Sequence, residues 1–131
     1  MTRLAIALLL AAITLTSGCG KNDAGRVDVW GTVTWKGAPV PRGFVVFNPD
    51  SSQGNSGPQG TADIVDGKFD TRDDTWRGAV TGAVILSIRG YDGVNPTPEA
   101  PYGGVLFGPY EKTVDIPADG GELSIDVPAK P

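Results

Sequence analysis

From residue 27 onward, the apolar residues of this chain recur with a period of two. Val27, Val29, Val33 and Trp35 fall on one side of the alternation, and Asp28, Thr32, Thr34 and Lys36 on the other, which predicts a half-buried strand. Lys36-Gly37-Ala38-Pro39 predicts a turn, because Gly frees the backbone and Pro sets φ. Residues 44–47 (FVVF) are apolar on both faces, as in a central strand covered on both sides or a strand beside a loop. Residues 48–60 (NPDSSQGNSGPQG) are polar and rich in breakers, and predict an exposed loop. Residues 61–65 and 68–71 flank Asp66-Gly67, a strong signal for a two-residue hairpin turn. That turn sets Val65 opposite Lys68, Ile64 opposite Phe69 and Asp63 opposite Asp70, with Ile64 and Phe69 pointing into the core. Val84, Leu86 and Ile88 alternate with Ile85, Ser87 and Arg89. Val114 and Ile116, followed after residues 117–121 by Leu123, Ile125 and Val127, predict a terminal pair of strands. About seven short strands with turn signals roughly every ten residues predict an all-β, antiparallel sandwich.

The N-terminus has a different pattern. Arg3 precedes residues 4–15 (LAIALLLAAITL), an uncharged apolar run shorter than the ~20 residues of a spanning helix, as in the h-region of a signal peptide. Thr16, Ser17 and Gly18 are small and Cys19 follows. This resembles the lipobox of bacterial lipoproteins, in which the Cys thiol receives a diacylglyceryl group before the signal peptidase cuts on its N-terminal side. The usual Leu three residues before the Cys is replaced by Thr16, and Leu15 stands one residue further back. The resemblance implies a signal peptide over residues 1–18, lipidation of Cys19, a polar tether over residues 19–26 and a folded domain over residues 27–131. It also implies that the membrane is a partner through the N-terminal lipid. Gly20, rather than Asp, after the Cys implies the outer membrane in preference to the inner one.

Composition narrows the chemistry. One Cys leaves no intrachain disulfide, and the absence of His removes imidazole from any triad or metal site. A net charge of −4 and a pI near 4.6 argue against a nucleic-acid partner, since phosphate binding needs clustered Lys and Arg.

A second resemblance follows from residues 31–50 (GTVTWKGAPVPRGFVVFNPD), the Asp66-Gly67-Lys68-Phe69 hairpin, and Gly82 leading into AVILSI. Together these are similar to the carboxypeptidase regulatory-like, transthyretin-like domain of small bacterial lipoproteins. The likeness covers residues 29–89, and the C-terminal third only by strand pattern. It implies a Greek-key sandwich of seven or eight strands, noncatalytic in most contexts and often accessory or adhesive. The same fold includes a purine-pathway hydrolase that depends on His and a Tyr-Arg-Gly-Ser tetrapeptide, neither of which this chain has.

Among candidate chemical groups, Asp63, Asp66, Asp70, Asp73 and Asp74 form the densest acidic set. Asp63 and Asp70 are the candidates for a calcium ligand pair, against a solvated face neutralised by Lys68, Arg72 and Arg77. Ser52, Ser56 and Ser87 have no base at a recognisable spacing. Trp30, Trp35 and Trp76 are candidate stacking platforms, with Trp35 expected in the core and Trp76 in a loop. Residues 90–110 place Tyr91, Tyr102, Phe107 and Tyr110 among four prolines and five glycines, on a chain not expected to form a regular central strand. These four are the candidate binding residues, with packing over a sandwich edge as the alternative. The sequence therefore predicts a lipid-anchored, noncatalytic binding or structural module of the cell envelope without a cofactor. The alternative is an accessory subunit or carrier for an envelope protein or polysaccharide, and a small hydrolase comes third.

Overall fold

The computed structural model describes residues 25–73 and 78–130, so the segment expected to be a signal peptide, Cys19, Asp74, Trp76 and Arg77 lie outside the described residues. In chain order the strands are β1 (Arg26–Val27), β2 (Val29–Trp35), β3 (Ala38–Pro39), β4 (Arg42–Pro49), β5 (Gly60–Val65), β6 (Lys68–Asp70), β7 (Ala79–Val80), β8 (Gly82–Tyr91), β9 (Val105–Ile116) and β10 (Gly121–Val127). Short 3₁₀ turns at Ser51–Gln53 and Thr71–Asp73 complete the described structure, which is all-β.

The Asp66-Gly67 turn has φ of 51° and 76° at its two central residues, the type I′ geometry that matches strand twist. Val65 pairs with Lys68 across it, while Ile64 and Phe69 are buried, as the alternation predicts. A Cβ on Gly67 would lie 2.5 Å from Pro39 Cβ, so the turn is packed against β3 as well as conformationally suited to Gly. Its amides donate to the β3–β4 connection, Asp66 to Pro41 O at 2.9 Å and Gly67 to Val40 O at 2.8 Å.

The main sheet runs β10-β2-β6-β5-β4-β8-β9, with β3 added on β2, while β1 and β7 pair separately. Between β5 and β6 the ladder consists of Val65↔Lys68 alone, so the expected pairs Ile64 with Phe69 and Asp63 with Asp70 do not form; the sheet folds over at this point, and Phe69 and Asp70 pair instead with Gly31 and Trp30 of β2. Val29, Val33, Phe69, Ile125 and Val127 from one side face Val45, Phe47, Ala62, Ile64, Val84, Leu86 and Ile88 from the other in one core. The result is a curled half-barrel.

Three further expectations are corrected. The predicted terminal pair does not form: β9 pairs with β8, whereas β10 lies parallel to β2 from Gly121↔Val29 to Val127↔Trp35. Curling brings the opposite edges of the sheet close at this end. Residues 117–120 therefore step from one edge to the other, and Gly121 N donates to Asp28 O at 3.0 Å instead of starting a hairpin ladder. The sheet is accordingly not wholly antiparallel.

The strand predicted over residues 68–71 stops at Asp70. Thr71 turns inward, fully buried, and its Oγ1 accepts a hydrogen bond from Val29 N at 3.0 Å, satisfying the first amide of β2.

The third correction concerns residues 48–60, where β4 continues to Pro49 and Asp50 is 5% exposed. Its carboxylate accepts from Ser52 N at 3.0 Å and Ser52 Oγ at 2.6 Å, capping the first 3₁₀ turn. Asn55 Nδ2 donates to Thr81 O and Ala83 O at 2.9 and 2.7 Å, so polar side chains pin this connection to β8.

Candidate functional site

The outer face of the sheet carries two adjoining surfaces. The first follows from the fold between β5 and β6. A cleft of about 780 Å³ opens there, lined by Trp30 and Thr32 of β2, Asp63 and Val65 of β5, Lys68 and Asp70 of β6, with Asp73 and Glu122 at its margins. Asp63 and Asp70 thus border the same space, but Asp70 is already engaged. Arg72 Nε lies 2.9 Å from Asp70 Oδ1 and Nη2 lies 2.7 Å from Oδ2, a bidentate pair, and Arg72 N donates to Oδ1 at 2.9 Å. The guanidinium carbon also sits 4.5 Å from the centre of the Trp30 ring, covering part of the indole that the sequence offered as a platform. Among the described residues, no three His, Cys, Asp or Glu side chains are grouped closely enough to hold a metal ion.

The side-chain hydrogen bond from Arg72 holds the Asp70 carboxyl below its ordinary value of 3.8, and Asp70 in turn raises Arg72. A carboxyl so held stays ionised near neutral pH and cannot act as a general acid there. Because the folded-state value is lowered, the contribution of this pair to stability is present at neutral pH and is lost as the pH falls through that value. In Arg72→Gln the Asp70 titration midpoint, followed by carboxyl-carbon NMR, is expected to move upward; an unmoved midpoint would mean that the pair does not form in solution.

The second surface lies at the other side of β5. Arg42 and Phe44 of β4 pair in register with Tyr91 and Arg89 of β8, so all four side chains stand on the outer face. Tyr102 joins them from the loop between β8 and β9. Ring centres are 6.4 Å apart for Phe44 and Tyr91, 6.1 Å for Phe44 and Tyr102, and 5.4 Å for Tyr91 and Tyr102. The guanidinium of Arg42 lies 5.6 Å from the Tyr102 ring centre, and that of Arg89 lies 6.0 Å from the Phe44 ring centre.

The loop is held in place to present Tyr102. Asp92 Oδ1 accepts from Val94 N and Gly104 N, both at 2.8 Å, and the backbone bonds Asp92 N to Gly104 O and Gly93 N to Tyr102 O, each 2.9 Å, close its neck. Asp63 is the register partner of Phe44, and Val65 that of Arg42, which makes this patch continuous with the cleft.

The four candidate binding aromatics are divided between the two faces. Tyr91 and Tyr102 meet on the outside. Phe107 is 6% exposed and packs on Trp35, with ring centres 5.6 Å apart, in space left by Gly90, where a Cβ would lie 2.4 Å from the Phe107 ring. Tyr110 pairs with Ile88, faces the same side and packs against the core. The expected irregular segment is in fact strand at both ends, with the loop confined to residues 92–104. Phe44, Arg42 and Arg89 were absent from the sequence-derived candidates. The double-sided apolar run 44–47 held the signal for Phe44, since one of its faces had to meet something other than the core.

No protein-family model, curated protein or solved structure matches this chain.

Proposed function

We propose that this protein is a lipid-anchored, noncatalytic binding module of the cell envelope, built on a transthyretin-like Greek-key sandwich. The observation that carries this reading is the half-buried Phe44, Tyr91 and Tyr102 patch flanked by two arginines, at the end of the sheet away from Arg26. Arg26, where the described chain begins its first strand, pairs with Val80, two residues before β8. Tyr91 closes that ten-residue strand, about 30 Å along the sheet. With Cys19 acylated and at most about 25 Å of chain between it and Arg26, the patch would face away from the membrane. Two facing sets of core residues on a sheet folded at β5–β6 support the sandwich.

The noncatalytic part of the reading is supported by the absence of His from the sequence, the local capping role of Ser52 and the ionised, paired state of Asp70. The alternative, an accessory subunit docking on an envelope protein, is favoured by β9, which among the described residues pairs with β8 alone and exposes Val105. Pro109, Glu111, Lys112 and Asp115 on the same strand oppose edge pairing.

The test combines fractionation with capture. Wild-type protein is expected to stay with membranes after alkaline washing and to carry lipid mass, and Cys19→Ser to be released or left as precursor. A photo-crosslinking residue at position 102 is expected to capture an envelope component in intact cells. A wild type without lipid mass would remove the anchor, and an empty crosslink at position 102 would remove the binding role.

A further inference from the structure

A guanidinium stacked on an aromatic ring uses its face and leaves its in-plane N–H donors free. Arg42 and Arg89 each have a ring beside the guanidinium, 5.6 Å from its carbon to the Tyr102 ring centre and 6.0 Å to that of Phe44, and among the described residues no carboxylate forms an ion pair with either, in contrast to Arg72 on Asp70. Packing beside a ring limits the rotamers of a long side chain, so less freedom is lost when the fork meets an oxyanion. Between the two cations stand three mutually packed rings, two of which end in hydroxyls. From this arrangement we infer that the Arg42, Phe44, Arg89, Tyr91 and Tyr102 patch binds a carboxylate-bearing polysaccharide. Its sugar rings rest on the aromatic side chains and its carboxylates take the guanidinium edges. The inference deepens the proposed binding role and rests on it.

Three observations select this ligand from other anions. The chain is acidic overall, with a net charge of −4, and Asp63 and Asp92 border the patch, so the two arginines form a small cationic island in a repelling field. That field opposes every anion, and a polymer that carries its carboxylates on sugar rings offsets the opposition by resting those rings on the aromatic side chains, as a polymer without rings does not. The partly positive C–H face of a pyranose suits the electron-rich face of an aromatic ring.

Backbone pairing argues against a peptide. β4 lies between β5 and β8, and β8 lies between β4 and β9, so neither strand offers a free edge for strand addition at the patch. The position of the patch argues against lipid headgroups, since it stands about 30 Å along β8 from the end at which Arg26 pairs with Val80, the end that the proposed anchor would hold at the membrane.

The experiment uses the full-length, detergent-solubilised lipoprotein and four probes: polygalacturonate, its fully methyl-esterified form, poly-glutamate, and vesicles containing anionic phospholipid. Polygalacturonate is expected to bind, and methyl esterification to weaken binding at least about tenfold by removing the charge-assisted hydrogen bonds. Arg42→Gln with Arg89→Gln is expected to weaken it by at least about tenfold with an unchanged melting temperature. Arg89→Lys, which keeps the charge and loses the fork, should also weaken binding. Tyr102→Leu should lower affinity for the ester and the acid alike.

Equal binding of poly-glutamate or of vesicles would overturn the inference in favour of a peptide or a membrane surface, as would polygalacturonate binding that survives the arginine substitutions. Failure to bind polygalacturonate, with crosslinking at position 102 still capturing an envelope component, would remove the polysaccharide and leave the binding module. Failure of both would remove the two together.

Discussion

Phe69→Ala is expected to lower the unfolding free energy by about 3–5 kcal/mol, the range for deleting a buried aromatic ring. Phe69 is 3% exposed and its ring centre is 6.1 Å from that of Phe47, across the fold between the two halves of the sheet. It lies on β6, which has three residues and meets β5 at a single register pair. Hydrogen bonding therefore contributes little at this point, and packing through Phe69 holds the curl closed. The gap left by Ala would lie beneath the cleft, where water can enter instead of the walls collapsing. Urea unfolding checks this: the midpoint should fall with little change in the slope. A loss below about 1 kcal/mol would mean that the curl is held elsewhere.

Gly31→Ala is expected to be at least as damaging, for the opposite reason. A Cβ at this position would lie 1.7 Å from Leu123 O and 2.7 Å from Leu123 C, both backbone atoms of β10. No rotamer change relieves a clash with a main chain, so β10 must move away from β2 along a ladder that runs from Gly121 to Val127. Ile125 and Val127 would then leave the core. A cost of at least about 3 kcal/mol is expected, with fast amide exchange confined to β10 and its partner positions on β2. Gly108→Ala serves as the control, because nothing lies within 4 Å of its Cβ position; it should leave both stability and exchange essentially unchanged. If Gly31→Ala behaved like the control, the parallel pairing of β2 and β10 would be wrong.

The binding surface combines residues of very different visibility in the sequence. Tyr91 and Tyr102 stand out because their segment is rich in Gly and Pro around repeated aromatics. Phe44 does not, because FVVF has no polar face and so gives no parity from which to separate inside from outside. Arg42 and Arg89 look like ordinary solvated charges until the β4–β8 register brings each beside a ring.

What the sequence alone determined is local. A two-residue alternation over residues 29–35 and 84–89 follows from which side chains avoid water within one strand, and the Asp-Gly turn follows from two adjacent residues that tolerate positive φ. Both statements need only neighbours along the chain. What the tertiary structure decided is non-local. Alternation says that a strand has an inner face but not which strand lies beside it, so β9 followed by β10 read as a hairpin although curling carries β10 to the far edge and into parallel pairing with β2. Parity likewise could not be carried through residues 90–110. The β8–β9 register shifts between Ile88 and Gly90 and again between Gly90 and Tyr91, and each shift changes which residues face inward. Those shifts lie on β9 and send Phe107 into the core beside Trp35, whereas Tyr91 continues the alternation of β8 and stands outside with Phe44 and with Tyr102 of the loop.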